Sequence, residues 1–300
     1  MKTRHRKNSK RMTRRKNKRK FRGGELESMP QLCFGTAQNN FEKMLELALQ
    51  IGYRHIDGAD AYSGWQHDYF ETIRQVLEKV SSEAESPIKR EELWITWKGE
   101  PSSVDEIRDT ISKLNCEYID LYLIHGWRKQ WPMMDILREA KEAKLIRNYG
   151  VSNCENMEDI TRLKSEYDIY ANQIQARPPL GKIAGRPLMD KPSMDKTFIE
   201  QCNALGIKVM LFATISGYLG GTVLNPEIIS EINKYYLQKY IQDKGKGNVL
   251  MVSSVYGNSL KINYDDFKII ESGGEMLSDS QMTDIEKELK KSKLQWMGKG

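Results

Sequence analysis

Four polar residues fall at the ends of short apolar runs or just beyond them. Asp57 closes the run in GYRHIDGADAY, and Tyr62 follows five residues later. Lys98 closes LWITWK, and His125 closes DLYLIH. A tyrosine keeps its proton at neutral pH because its ordinary pKa is about 10. It can hand that proton to a carbonyl oxygen as negative charge develops there. A neighbouring ammonium is expected to lower the tyrosine pKa by stabilising phenolate, and a carboxylate beside the lysine would orient it. A histidine on the far side can donate a hydrogen bond to the same oxygen. Together these types make a general-acid site with an oxyanion-type pocket, suited to carbonyl reduction by hydride transfer. No side chain supplies a hydride, so a cofactor is required. Taken singly, each residue has an ordinary structural reading: a cap, a packed ring, a solvated lysine. Four on successive strand ends are harder to attribute to chance.

Such convergence needs a fold that gathers strand ends. From residue 29 the sequence alternates apolar runs with amphipathic stretches. Strands are expected at Leu32–Gly35, Arg54–Asp57, Leu93–Lys98, Ile119–Ile124, Arg147–Val151, Tyr170–Gln175, Ile207–Phe212 and Val249–Val252. Helices are expected at Phe41–Ile51, His67–Val80, about Val104 to Asn115, Met133–Lys144, Met157–Tyr167, Thr197–Leu205, Pro226–Ile241 and Tyr264–Ile270. Strands that read as unbroken apolar runs are buried on both faces, which points to a parallel sheet. Eight β-then-α units predict an α/β protein, a (β/α)8 TIM barrel, whose carboxyl strand ends share one mouth. The rival, a doubly wound sheet, would show a glycine-rich phosphate turn, and no G-x-G-x-x-G occurs. Two stretches break the alternation: a polar insertion at Arg177–Lys196 and a glycine-rich loop at Gly217–Pro226.

The net charge of +6 over 300 residues hides a division. Residues 1–22 hold thirteen Lys or Arg and no acid, leaving 34 basic against 41 acidic residues in the remainder, a balance of −7. Like charges at that density, with no apolar face to bury, predict a disordered tail over 1–28, ahead of a barrel at 29–290 and a short tail at 291–300. The arm at 1–22 reads as a partner for polyanions or nucleic acid without base specificity, or as a nuclear address. Its composition resembles N-termini of proteins from large DNA viruses. It lacks the apolar core of a secretory signal, and no run of about 18 apolar residues offers a transmembrane helix. Cys33, Cys116, Cys154 and Cys202 show neither C-x-x-C pairing nor a nearby metal-spaced His, so free thiols, a reducing compartment and no metal are expected. The expected setting is intracellular, in cytoplasm or nucleus, or in a virion were the chain viral, and the expected state is a monomer.

The body also resembles the aldo-keto reductase superfamily, from MPQLCFGTAQ near residue 29 to about residue 290. GYRHIDGADAY, WITWK, LYLIH, NYGVSN, NQIQ and LSDSQMTDIEKEL carry the likeness. The resemblance implies NAD(P)H-dependent reduction of an aldehyde or ketone. Tyr62 would be the proton donor, Lys98 and Asp57 would tune it, and His125 would orient the carbonyl. Ser152, Asn153 and Gln173 would hold the nicotinamide amide, Phe212 would stack on its ring, Thr36 would line the cleft, and Asn263 would touch adenine. Trp65 and Trp127 would line the substrate pocket or pack on the rim. The departures concern the cofactor's 2′-phosphate. Where the family carries Lys and Arg, this sequence places Ser253 and Ser259, with Lys261 nearby as a substitute. NADPH remains the expected cofactor, but its advantage over NADH should shrink, since charge-assisted phosphate bonds are the strong ones. The same departures motivate an alternative: a barrel with weak or no turnover that binds, regulates or accompanies nucleic acid.

Overall fold

The computed structural model describes residues 28–38, 40–82, 87–175, 196–212, 231, 233–242, 247–252, 257–285 and 287. Eight parallel strands close into a barrel in sequence order. They are β1 (Leu32–Gly35), β2 (His55–Ala59), β3 (Trp94–Gly99), β4 (Ile119–Ile124), β5 (Ile146–Ser152), β6 (Ala171–Gln175), β7 (Lys208–Phe212) and β8 (Val249–Val252). Between them run α1 (Phe41–Ile51), α2 (Tyr69–Ser82), α3 (Val104–Lys113), α4 (Trp131–Glu142), α5 (Met157–Tyr167) and α6 (Lys196–Ala204), and a C-terminal helix spans Gly257–Glu271. The (β/α)8 barrel expected from the strand pattern is the fold observed.

The barrel sorts side chains by parity, because successive residues of a strand face opposite sides. Cys33, Trp94, Leu121, Leu123, Ala171, Met210, Val249 and Met251 fill the interior, with Phe212 packed against them. Ile56, Trp97, Tyr122, Ile124 and Val151 belong to the outer shell between strands and helices. The helices bury one stripe each, as α1 does with Phe41, Leu45, Ala48 and Leu49.

Several boundaries differ from expectation. β2 does not stop at Asp57: Gly58 and Ala59 continue the ladder opposite Trp97 and Lys98. Asp57 therefore sits one layer below the mouth. α4 starts at Trp131 with Pro132 in its first turn, where a missing N–H costs nothing. The helix expected at Tyr264–Ile270 begins earlier, at Gly257. Of the helix expected at Pro226–Ile241, residues 231 and 233–236 are helical and Leu237–Ile241 form a π turn. The expected tail at 1–22, the loop at Gly217–Pro226, Ser253 and the segment 291–300 lie outside the described residues, as does Arg177–Lys196 apart from Lys196. Among the described residues no helix is long and apolar enough to cross a membrane, and all four cysteines are free thiols.

The amino end of the barrel carries structural polar groups. Asp120 is fully buried and accepts from Arg90 at 2.7 Å, Arg147 at 3.1 Å and the Ile95 amide at 2.9 Å. His55, also buried, lies between the Pro30 carbonyl at 2.9 Å and the Thr96 hydroxyl at 2.8 Å. The carbonyl can only accept, so Nδ1 carries the hydrogen and Nε2 accepts from Thr96. Burial pushes the His55 pKa down to about 3, against the pull of Pro30. The unfolded chain, with an ordinary value near 6.5, binds this proton first, so stability falls as pH drops from about 6.5 towards 3. The contribution approaches about 1.4 kcal/mol per pH unit. Urea midpoints at pH 7, 6, 5 and 4 should converge between wild type and His55→Gln as pH falls. A constant gap between the two would count against this role.

Candidate active site

At the carboxyl end of the barrel, parity turns one residue from each of several strands into the same space. Asp57 from β2 and Lys98 from β3 are both about 1% exposed, and the Lys98 ammonium is bonded to Asp57 Oδ1. Gln173 from β6 donates its Nε2 to Asp57 Oδ2 at 2.6 Å. Thr36, fully buried just after β1, donates its hydroxyl to the Asp57 carbonyl at 2.8 Å and shares a hydrogen bond with the Tyr69 hydroxyl at 2.5 Å. Tyr62 comes from a 3-10 turn, Asp60–Gly64, that follows β2. The Lys98 ammonium lies 5.2 Å from the centre of its ring. His125, one residue beyond β4, meets the same ring edge-on at 5.8 Å. The four residues singled out by type thus converge.

Their electrostatics differ from the simplest expectation in one respect. Burial raises the Tyr62 pKa, and the Lys98 charge, which lowers it, does not overcome that effect. Tyr62 therefore holds its proton firmly. Burial opposes the Lys98 charge, but Asp57 and Tyr62 outweigh it and the ammonium persists. Burial raises Asp57 against the pull of Lys98 and Gln173. Burial, helped by the Lys98 charge, pushes His125 down to about 4, so its imidazole is neutral at pH 7.

Beside this cluster β5 and β6 supply amide-binding groups. Ser152 is in register with Gln173. Asn153, left-handed at φ 62°, donates its Nδ2 to Ser152 Oγ at 3.1 Å and to the His125 carbonyl at 3.2 Å. Its own amide donates to the Gln173 carbonyl at 2.7 Å. The Gln173 side-chain oxygen and the Ser152 hydroxyl hydrogen keep capacity to accept and to donate, which is what a primary carboxamide requires. Phe212 ends β7 half-buried, pairing in register with Gln175. These residues fit a nicotinamide.

The other expected site residues stand on the C-terminal helix, at the end of the Tyr62 turn and just beyond β4. Asn263 is buried on the C-terminal helix and accepts from Asn233 at 2.7 Å. Ser259 is half-buried on the same helix, and Lys261 is exposed there, pairing with Asp265 at 2.8 Å. Trp65 is 54% exposed and meets Tyr62 edge-on at 5.8 Å. Trp127 is buried, donates its indole N–H to Asp159 at 3.3 Å and packs against Trp131. Sequence reasoning passed over Asp60, half-buried beneath the Tyr62 turn. Its position inside GADAY was the available signal, but its partners come from elements 37 to 62 residues away.

The fold is a (β/α)8 barrel with Asp57, Tyr62, Lys98 and His125 gathered at its mouth. The family model described as Aldo/keto reductase family matches residues 31–256, and the chain belongs to that family of NAD(P)H-dependent oxidoreductases. It is 28% identical over 262 residues to a 9,11-endoperoxide prostaglandin H2 reductase of Trypanosoma cruzi, covering 81% of this chain and 84% of the relative. An aldose reductase structure from Giardia lamblia shares the fold at TM-score 0.67 and 20% identity, covering 87% of this chain and 92% of that one. A Bombyx mori aldo-keto reductase solved with NADP does so at TM-score 0.63 and 22% identity, covering 86% and 89%.

Proposed function

We propose that this protein reduces an aldehyde or ketone to an alcohol, with Tyr62 as proton donor and Asp57, Lys98 and His125 as its supporting groups. The observation that carries the reading is the buried Lys98–Asp57 pair lying against the ring of Tyr62, with His125 on another edge of that ring. The cofactor supplies the hydride when bound. Ser152, Asn153 and Gln173 hold its carboxamide and Phe212 offers a stacking face, while Thr36 fixes the β1–β2 side of the cleft. His125, neutral, donates an N–H to the carbonyl oxygen, and Tyr62 delivers the proton as charge builds there. Preorganised donors of this kind act most strongly in a water-poor site. Trp65, exposed beside Tyr62, gives the substrate an apolar wall, and Trp127 shapes the rim behind His125. The altered phosphate site bears on cofactor affinity rather than on this chemistry, so turnover is favoured over the binding-only alternative.

Cofactor choice is testable on the full chain. Hydrogen bonds to charged groups contribute about 1.5–3 kcal/mol each, and the family resemblance aligns Ser253 and Ser259 with its two phosphate-binding cations. Fluorescence titration should give NADPH and NADH dissociation constants within about tenfold of each other. Ser259→Arg should shift the ratio towards NADPH by about tenfold or more. A wild-type preference for NADPH above about a hundredfold would show that other cations serve the phosphate.

A further inference from the structure

We propose that Asp60 is a positioning residue that sets the Tyr62 hydroxyl at its working place, an inference that rests on the reading of Tyr62 as proton donor. Asp60 opens the turn on which Tyr62 stands, and that turn has no side-chain cap from Ala59 before it. Its internal shape comes from the Tyr62 carbonyl, which accepts from the amides of Trp65 at 3.2 Å and Gln66 at 3.0 Å. Those bonds shape the turn but do not place it on the barrel.

The Asp60 carboxylate does so at the start of the turn, while just past its end Gln66 donates its side-chain amide to the Thr36 and Gln38 carbonyls at 3.1 and 3.2 Å. Asp60 Oδ1 accepts from the Trp97 indole N–H at 2.7 Å and from the Thr110 hydroxyl at 3.4 Å. Oδ2 accepts from the Tyr122 hydroxyl at 3.3 Å. One side chain thereby ties the turn to β3, β4 and α3. Trp97 and Tyr122 are paired in register and face outward, away from the barrel interior. A carboxylate taken out of water is costly unless donors replace the water it loses, and here three neutral donors do so.

Two glycines make the arrangement sterically possible. A Cβ on Gly99 would lie 2.2 Å from the Tyr122 hydroxyl and 2.3 Å from Asp60 Oδ2. A Cβ on Gly58 would lie 2.4 Å from the Trp97 ring. Gly58 follows Asp57 and Gly99 follows Lys98. Each of the two strands therefore presents an ionised group inward and a cleared space outward at adjacent positions. The ion pair and the turn that delivers Tyr62 to it therefore share β3, which carries both Lys98 and the Trp97 anchor.

Displacing a reacting group by about 1 Å can cost on the order of a hundredfold in rate. Asp60→Ala should lower kcat about ten- to a hundredfold, with the carbonyl KM and the NADPH dissociation constant within about twofold of wild type. Asp60→Asn keeps an acceptor for Trp97 and should recover much of the rate. In a Tyr62→Phe background, Asp60→Ala should produce no further loss, because Asp60 acts only through Tyr62. Hydrogen exchange supplies a readout independent of activity: the Trp65 and Gln66 amides should exchange at least about tenfold faster in Asp60→Ala, while those of β2 and β3 hold. Should that variant not fold, Trp97→Phe removes the shortest bond without touching the turn and should shift kcat and exchange the same way. Additive loss in the double variant, a raised KM, or unchanged exchange would overturn the proposal. If wild type reduces no carbonyl, the reading of Tyr62 fails, and exchange alone decides whether Asp60 holds the turn.

Discussion

Replacing Tyr62 by Phe should lower carbonyl turnover by about 10²–10⁴-fold while leaving cofactor binding and thermal stability close to wild type. The site contains two candidates for the proton, and magnitudes decide between them. His125 has its pKa pushed down to about 4, so roughly one molecule in a thousand carries an imidazolium at pH 7. Tyr62, raised above its ordinary value by burial, is protonated throughout that range. His125 can orient an oxygen but cannot supply acid in quantity. The Phe ring would keep the edge-on contacts to Trp65, Tyr69 and His125, which is why stability should hold. The pH profile follows from the same direction of shift. Reduction should be level across neutrality and decline only in alkali, as the phenol is lost. Steady-state kinetics with an aldehyde panel, beside a melting curve, measures both halves. Retention of more than about a tenth of wild-type turnover by Tyr62→Phe would assign the proton elsewhere.

The second large effect concerns Lys98. Lys98→Met should abolish turnover and destabilise the fold by about 3–5 kcal/mol, because it leaves the Asp57 carboxylate buried without its cation. Asp57→Asn combined with Lys98→Met should restore most of the stability and none of the activity, which separates the two roles of the pair. The single variant should also acquire a distinctive pH dependence. Burial already raises Asp57, and without Lys98 nothing but Gln173 opposes that. The folded state would then keep a proton that the unfolded chain, with a carboxyl pKa near 3.9, releases. Stability of Lys98→Met should accordingly fall as pH rises above about 4, until the folded-state carboxyl itself ionises. Denaturant unfolding at pH 4, 5, 6 and 7 would show it. If Lys98→Met is as stable as wild type at pH 7, the pair is not held as two charges.

Much of the site was legible because strand periodicity is short and rigid. Leu121, Leu123 and His125 share a parity, as do Trp94, Thr96 and Lys98. Once the interior is known to be apolar, the polar residue at the mouth end of each series is placed with it. The alternation of apolar runs with amphipathic stretches specified the barrel, since burial on both faces accounts for runs such as Leu121–Ile124. Boundaries set by tertiary pairing were less legible. Gly58 and Ala59 look like the start of a loop, yet they pair with Trp97 and Lys98, and a glycine in that position gains its place from the Trp97 ring it admits.

By itself, then, the sequence determined the barrel, the split between a basic arm and an acidic body, and the four residue types that converge at one mouth. These depend on local periodicity and composition, which act over a few residues. The tertiary structure decided that Asp57 lies a layer deeper than its lysine, that burial outweighs the Lys98 charge at Tyr62, and that Gln173 holds Asp57. It also decided that Asp60 ties the Tyr62 turn to two strands and a helix. Each of these depends on desolvation or on partners dozens of residues away. Neither is encoded in any short stretch of the chain; both arise only when the closed barrel removes water and brings those strands side by side.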